Sequence, residues 1–132
     1  TLVKSSAASD VYKRQVLDHA YEETEKGGEP YRMLKLSNSI APIDVAILPL
    51  FEKDGMDKLA YELHQRCCQK SGLVSLYDGS GSIGKRYARA DEIGIPMCVT
   101  IDHQSLEDGT ITVRNRDDAT QTRLSIDDLP FF

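Results

Sequence analysis

What the 132-residue sequence lacks narrows its class before any motif is read. It has only three cysteines, Cys67 and Cys68 adjacent and Cys98 alone, with no C-x-x-C pair and no histidine at metal-ligand spacing. Neighbouring cysteines seldom bond to each other and an odd count leaves one over. That speaks against a disulfide framework and for reduced thiols in a cytosolic setting. No apolar run approaches the roughly 18 residues of a membrane span, and no basic-then-apolar leader opens the chain. Positive charge is not in excess either: the formal net charge is −5, so any nucleic-acid surface has to be a local patch. Repeats and low-complexity tracts are also missing. The length suits one ordinary domain with appendages.

What is present begins with "TLVKSSAASDVYKRQ", small, polar and without clear periodicity, which reads as a disordered leader at 1–15. Its part Ser5 to Gln15 resembles the in-frame translation of a transposase adapter used in sequencing libraries, so the leader is set aside as artefactual. Val16, Leu17, Ala20 and Tyr21 then mark one face of a short helix that the Gly27-Gly28 pair ends. "YRMLKLS" alternates and suits a strand, and "NSIAP" a linker. From Pro42 the pattern is regular. "IDVAILPL" is an apolar run of the kind that sheets covered on both faces contain. Met56, Leu59, Ala60, Leu63 and Cys67 make the stripe of an amphipathic helix over Met56 to Lys70, with Cys67 as a small buried hydrophobe and His64 on its flank. A strand at Leu73 to Asp78, a Gly-rich turn, a helix at Ile83 to Ile93, a strand at Pro96 to Asp102 and a hairpin of "TITVRNRD" with "TRLSIDDL" complete the order. Alternating strands and helices with short links imply right-handed crossovers, hence a three-layer α/β/α domain with a mixed sheet of about five strands. Phe131 and Phe132 are left exposed at the end.

Three features carry chemistry. Tyr77 to Tyr87, "YDGSGSIGKRY", holds G-x-x-x-x-G-K between a strand and a helix, the context of a phosphate-binding loop, but Arg86 stands where a hydroxyl should reach magnesium. "MCVTID" adds an apolar strand ending in Asp102, as magnesium-holding strands often do. On the helix, Lys85, Arg86 and Arg89 share one broad face with Asp91 and Glu92 close by, which suits either a solvated surface or an anionic ligand at a helix N-terminus. In "VRNRDDATQTR", Arg114 and Arg116 alternate onto one face of a strand, either a charged edge that resists aggregation or a pair holding phosphates or bases. Splayed RNA bases are read by planar guanidinium and aromatic groups with carboxylates or amides, and Tyr77, Tyr87, Arg86, Arg89, Asp91, Glu92 and Gln121 supply those types. His19 and His103 have no sequence-near nucleophile or ligand set.

Together, "VLDHAYEE", "APIDVAILPL", "GSGSIGKRYARADEIGIPMCVTIDHQSLEDGTITVRNRD" and "TRLSIDDL" are similar to the C-terminal part of the homodimeric class II glycyl-tRNA synthetases, from Val16 to about Leu129. The resemblance implies that 16–41 is a remnant of the class II catalytic domain with its linker, and that 42–132 is an anticodon-binding domain. It implies a parent enzyme, cytoplasmic and homodimeric, that attaches glycine to its tRNA with ATP and magnesium, and a fragment without the catalytic site or a cofactor of its own. The implied partner is the anticodon stem-loop of glycine tRNA, with no membrane involved. Arg86, Arg89, Asp91, Glu92, Arg114 and Arg116 are the implied tRNA-binding residues. Asn115 stands where the family commonly has Asp, and "DDATQT" departs from its usual pattern. Two other classes remain: a P-loop-like nucleotide-binding domain, and a non-catalytic protein-interaction module of the same fold.

Overall fold

The computed structural model describes residues 2–70 and 72–129 and opens with a helix, α1 (Leu2–Ala20), which takes in most of the segment expected to be a disordered leader. The chain leaves this helix earlier than its apolar spacing suggests. Tyr21–Lys26 forms β1 and Glu29–Leu34 forms β2, an antiparallel hairpin in which Tyr21 faces Leu34 and Lys26 faces Glu29. The Gly27-Gly28 pair is therefore the hairpin turn rather than a helix stop. Both glycines have positive φ, 63° and 82°, as a two-residue loop matched to strand twist requires. The expected helix is present at Val16, Leu17 and Ala20 but stops at Ala20, because the two-glycine loop flanked by two strands draws Tyr21 onward into the hairpin. Ala20 and Leu36 close the space between α1 and the segment after the hairpin.

Val45–Pro49 (β3) has no side chain suited to water, and it is buried along its whole length inside the sheet. Helix α2 (Met56–Lys70) lays Met56, Ala60, Leu63 and Cys67 against one face of that strand, on Val45 and Ile47. The short edge strand β4 (Ser75–Tyr77) follows, then α3 (Ile83–Ile93), whose Ala90 covers the other face with Ala46, Leu48, Ile95 and Cys98. Ser82 caps the start of α3 by accepting from the Lys85 N–H, and Gly94 ends it at φ 92°. Next come β5 (Met97–Ile101), the short helix α4 (His103–Asp108), β6 (Thr110–Asn115) and β7 (Gln121–Ser125), with a 3-10 turn at Ile126–Asp128. Helix α4 had no counterpart in the sequence reading. It is started by a capping box in which the Asp102 carboxylate accepts from Ser105 while the Ser105 hydroxyl accepts from the Asp102 N–H. The terminal Phe131 and Phe132 lie outside the described residues.

The sheet order is β4-β3-β5-β6-β7, with β4, β3 and β5 parallel and β6 and β7 antiparallel to their neighbours. This is the expected mixed α/β architecture. One consequence positions the site. From β3 the chain crosses over α2 to β4 on one side, and from β4 over α3 to β5 on the other. The loops leaving the carboxyl ends of β3 and β5 diverge there, making the topological switch point at which open α/β sheets take their ligands.

Candidate nucleic-acid interface

The carboxyl end of the parallel strands gathers three segments. After β3 comes Leu50 to Gly55, after β4 comes Asp78 to Ser82, and after β5 comes Asp102 with the start of α4. Phe51 is 49 % exposed, and its ring lies 6.5 Å from that of His103 at a tilt of 43°, so two aromatic rings flank the switch point. The Lys53 ammonium sits 5.1 Å from the centre of the Phe51 ring. Beside them, the Tyr77 hydroxyl donates to Glu52 over 3.4 Å and its ring meets Tyr61 edge-on. Exposed rings beside cations and carboxylates are the side chains that stack on and hydrogen-bond to unpaired bases.

The β4 exit is tied down by charge. Asp78 accepts from the Ser80 N–H and hydroxyl, each at 3.0 Å, and from Arg89 Nη2 at 2.8 Å. Partial burial pushes the Asp78 carboxyl up, but these bonds outweigh it and leave its pKa below the ordinary carboxylate value. At the β5 exit, Arg123 donates from both Nη atoms to the two oxygens of Asp102 at 2.9 Å. That fork, aided by Ser105, holds the Asp102 pKa to about 2 against its partial burial.

The residues expected to bind RNA do not form one patch. Arg86 and Arg89 lie at the amino end of α3, near the carboxyl ends of the strands, whereas Asp91, Glu92, Arg114 and Arg116 cluster toward the other end of that helix. Antiparallel pairing sets this separation: Arg114 faces Cys98 and Asn115 faces Met97, at the start of β5. Four of the six are also interior. Arg86 is 2 % exposed and donates to the carbonyls of Pro49, Asp78 and Leu50. Arg114 and Asp91 form a bidentate pair at 2.9 and 3.0 Å with side chains 5 % and 0 % exposed. Tyr31 of the hairpin donates its hydroxyl to the same carboxylate, and the Arg114 guanidinium lies 4.8 Å over the Tyr87 ring. Arg116 donates to the carbonyls of Gly94 and Leu36 at 3.0 and 2.6 Å, fastening the segment after the hairpin to the end of α3.

The structure gives the polar heads of Arg86, Asp91, Arg114 and Arg116 internal partners. Arg89, with its side chain 46 % exposed, and Glu92 remain on the surface, the latter in a shallow depression with Pro30, Tyr31, Arg32 and Ala88. The sequence reading missed Phe51, Lys53 and His103 as a group. Their signal was topological, an aromatic directly after the most apolar strand and a histidine directly after the strand two places on.

The phosphate-loop alternative fares poorly on the same geometry. The Lys85 and Arg86 N–H groups turn back to the Ser82 side chain and carbonyl, and the strand before the loop is an edge strand. Among the described residues no group of three or more His, Cys, Asp or Glu side chains is placed to hold a metal ion. No helix among them is long and apolar enough to cross a membrane.

Solved structures share this fold. The fold is similar to that of a prolyl-tRNA synthetase from Cryptosporidium parvum, with a TM-score of 0.65 at 22 % identity over 73 % of this chain and 21 % of that one. It is equally similar to the RNA binding domain of threonyl-tRNA synthetase from the same organism, with a TM-score of 0.63 at 22 % identity over 70 % of this chain and 23 % of that one. Residues 44–132 match the family described as anticodon binding domain, and the chain belongs to that family. Among curated proteins it is 41 % identical over 98 % of its length to a glycine–tRNA ligase of Archaeoglobus fulgidus, covering 22 % of that protein. It is 49 % identical over 86 % of its length to that of Methanocaldococcus jannaschii, covering 19 %, and 46 % identical over 95 % to that of Chlorobaculum tepidum, covering 26 %. The chain therefore spans about a fifth to a quarter of these relatives.

Proposed function

We propose that the chain is the anticodon-reading part of a glycine–tRNA ligase and that its partner is the anticodon stem-loop of glycine tRNA. The observation that carries this reading is the contrast in identity: 41 % and 49 % to glycine–tRNA ligases, against 22 % to the prolyl and threonyl structures of the same fold. On this reading the ligase is a cytoplasmic homodimer that joins glycine to its tRNA with ATP and magnesium. The described residues here do not suit those two groups, since no metal-donor cluster is present and the α3 entry amides are capped. Their work belongs to the remaining length of the enzyme, while this domain contributes discrimination by differential binding.

The RNA-facing surface is the carboxyl end of the parallel strands, with Phe51 and His103 as stacking rings and Lys53 and Arg89 as cations. Few cations stand there and the chain as a whole is acidic, so selectivity rests on base contacts more than on phosphate attraction. The test is binding of the chain to a glycine anticodon stem-loop, and to one with the second and third anticodon bases changed, at two salt concentrations. A preference for the glycine loop supports the reading. Equal, salt-sensitive binding to both removes anticodon discrimination from this domain. Phe51→Ala should weaken binding to the glycine loop by about 1–3 kcal/mol, the worth of one stacked base.

A further inference from the structure

Arg86 is a buried cation with an unusual set of partners. It lies on the first turn of α3, 2 % exposed, and among the described residues no carboxylate forms an ion pair with it. Its guanidinium is instead surrounded by main-chain oxygens. Nη1 donates to the carbonyl of Pro49, the last residue of β3, and at 3.2 Å to that of Asp78, the residue after β4, while Nη2 donates at 3.1 Å to that of Leu50. Nε is buried and has no hydrogen-bond partner.

The position of these carbonyls gives the arrangement its meaning. The parallel ladder between β3 and β4 ends where the Asp78 N–H reaches the carbonyl of Ile47 at 3.2 Å. Beyond it the two strands part toward their loops, and the guanidinium fills the gap, bonding to both. One turn further along the same helix, Arg89 takes the Asp78 carboxylate at 2.8 Å and the Ser80 carbonyl at 2.6 Å. The exit of β4 is thus held by its main chain from Arg86 and by its side chain from Arg89. Leu50, the third acceptor, immediately precedes Phe51.

We infer that Arg86 is a positioning residue for RNA reading: it sets the separation between the loop carrying Phe51 and the loop carrying Ser80, without touching the RNA itself. This rests on the proposed anticodon-reading function for its consequence, though not for its geometry. A planar fork with five fixed donors can bond to two strand ends at once. A lysine, with one compact ammonium, keeps the charge and loses the span.

The experiment compares the full chain with Arg86→Lys and Arg89→Ala, first by amide hydrogen exchange and then by binding to the two stem-loops at two salt concentrations. In Arg86→Lys, exchange should accelerate at least 10-fold at both the Leu50 and the Asp78 amides, which donate to the carbonyls of Ile101 and Ile47 where the two loops begin, while the amides of α2 and β5 stay as in the parent chain. Its preference for the glycine loop should fall about 10-fold with an unchanged salt slope. Arg89→Ala should instead lower the slope by roughly 0.7 if it meets one phosphate of a single strand. Exchange that rises in one loop only, rises throughout the domain, or does not rise would overturn the clamp, as would a salt slope in Arg86→Lys that drops like that of Arg89→Ala. If the parent chain does not distinguish the two stem-loops, the anticodon reading fails on its own, and the exchange data still decide the clamp. Should Arg86→Lys not fold, Arg86→Gln, which retains a planar donor group, takes its place with the same expectations.

Discussion

Replacing Arg114 with Met would remove the cation while keeping an unbranched side chain of similar reach. In the folded protein this leaves the Asp91 carboxylate, 0 % exposed, without the two bonds at 2.9 and 3.0 Å that satisfy its oxygens, and with the Tyr31 hydroxyl as its remaining side-chain partner among the described residues. Breaking a buried ion pair on one side costs about 3–5 kcal/mol, because the remaining charge keeps its desolvation penalty. For a chain of this length that corresponds to a fall in Tm of roughly 10–20 °C. The assay is thermal unfolding followed by far-ultraviolet circular dichroism, with urea unfolding for the free energy. A second substitution identifies the cause. The double substitution Asp91→Leu with Arg114→Met should be less destabilised than the sum of the single variants, because neither charge is stranded. A loss under about 1 kcal/mol for Arg114→Met, or strict additivity in the double variant, would refute the view that this pair fastens α3 to β6.

Tyr31→Phe should cost about 1–2 kcal/mol, the worth of a hydrogen bond to a charged acceptor. Burial first, and then the Asp91 bond, push the Tyr31 hydroxyl up to about 12, so this contribution is complete below pH 10 and fades as pH rises through about 12 in alkaline titration of the two proteins. At the acid end, the depressed Asp102 pKa stabilises the fold above the ordinary carboxylate value, and that stabilisation is lost as pH falls through about 2. The advantage of the parent chain over Asp102→Asn, about 1 kcal/mol for a partly exposed pair, should therefore vanish between pH 4 and 2. Gly94→Ala should destabilise by about 1–2 kcal/mol or more, since φ is 92° and the new Cβ would lie 3.0 Å from Leu36 Cδ1 and 3.2 Å from the Leu34 carbonyl oxygen; urea unfolding checks it. Burial pushes the Cys67 and Cys98 thiols up, to about 11 and about 12, while Cys68 is exposed. A thiol reagent at pH 8 should accordingly label one cysteine rapidly in the native chain and all three after unfolding.

Most elements from Val45 onward were legible because each has a single dominant signal. The apolar run of β3 belongs to a strand covered on both sides, and the stripe from Met56 to Cys67 and the turn-bounded segment from Ile83 have helical lengths. Helix α4 was not legible, since six residues carry too little periodicity, and its signal is the capping pair Asp102 and Ser105. The hairpin was hidden by apolar residues at Val16, Leu17 and Ala20 that belong to the end of a longer helix. The candidate site was harder to read for a different reason. A charged residue on a helix looks the same in sequence whether water or a main-chain carbonyl accepts its hydrogen bonds, and two of the three acceptors of Arg86 lie 36 and 37 positions earlier in the chain. The charge pattern therefore marks α3 as ionic without telling that Arg86 and Asp91 turn inward while Arg89 and Glu92 stay at the surface.

Helix α3 is the spine of the domain, joined to two strand ends by Arg86, to a loop by Arg89, to β6 by Asp91 and to the hairpin by the same carboxylate. A spine whose polar groups are committed inward has little freedom to diversify, whereas the loops that leave the strand ends beside it carry few such obligations. On the proposed reading, selection acting on a scaffold of this kind can change what is recognised by rewriting Phe51 to Gly55 and Gly79 to Ser82 while the frame stays fixed. Exchanging those two loops between domains of this fold would then transplant preference without rebuilding the core, making the domain a socket with interchangeable fittings.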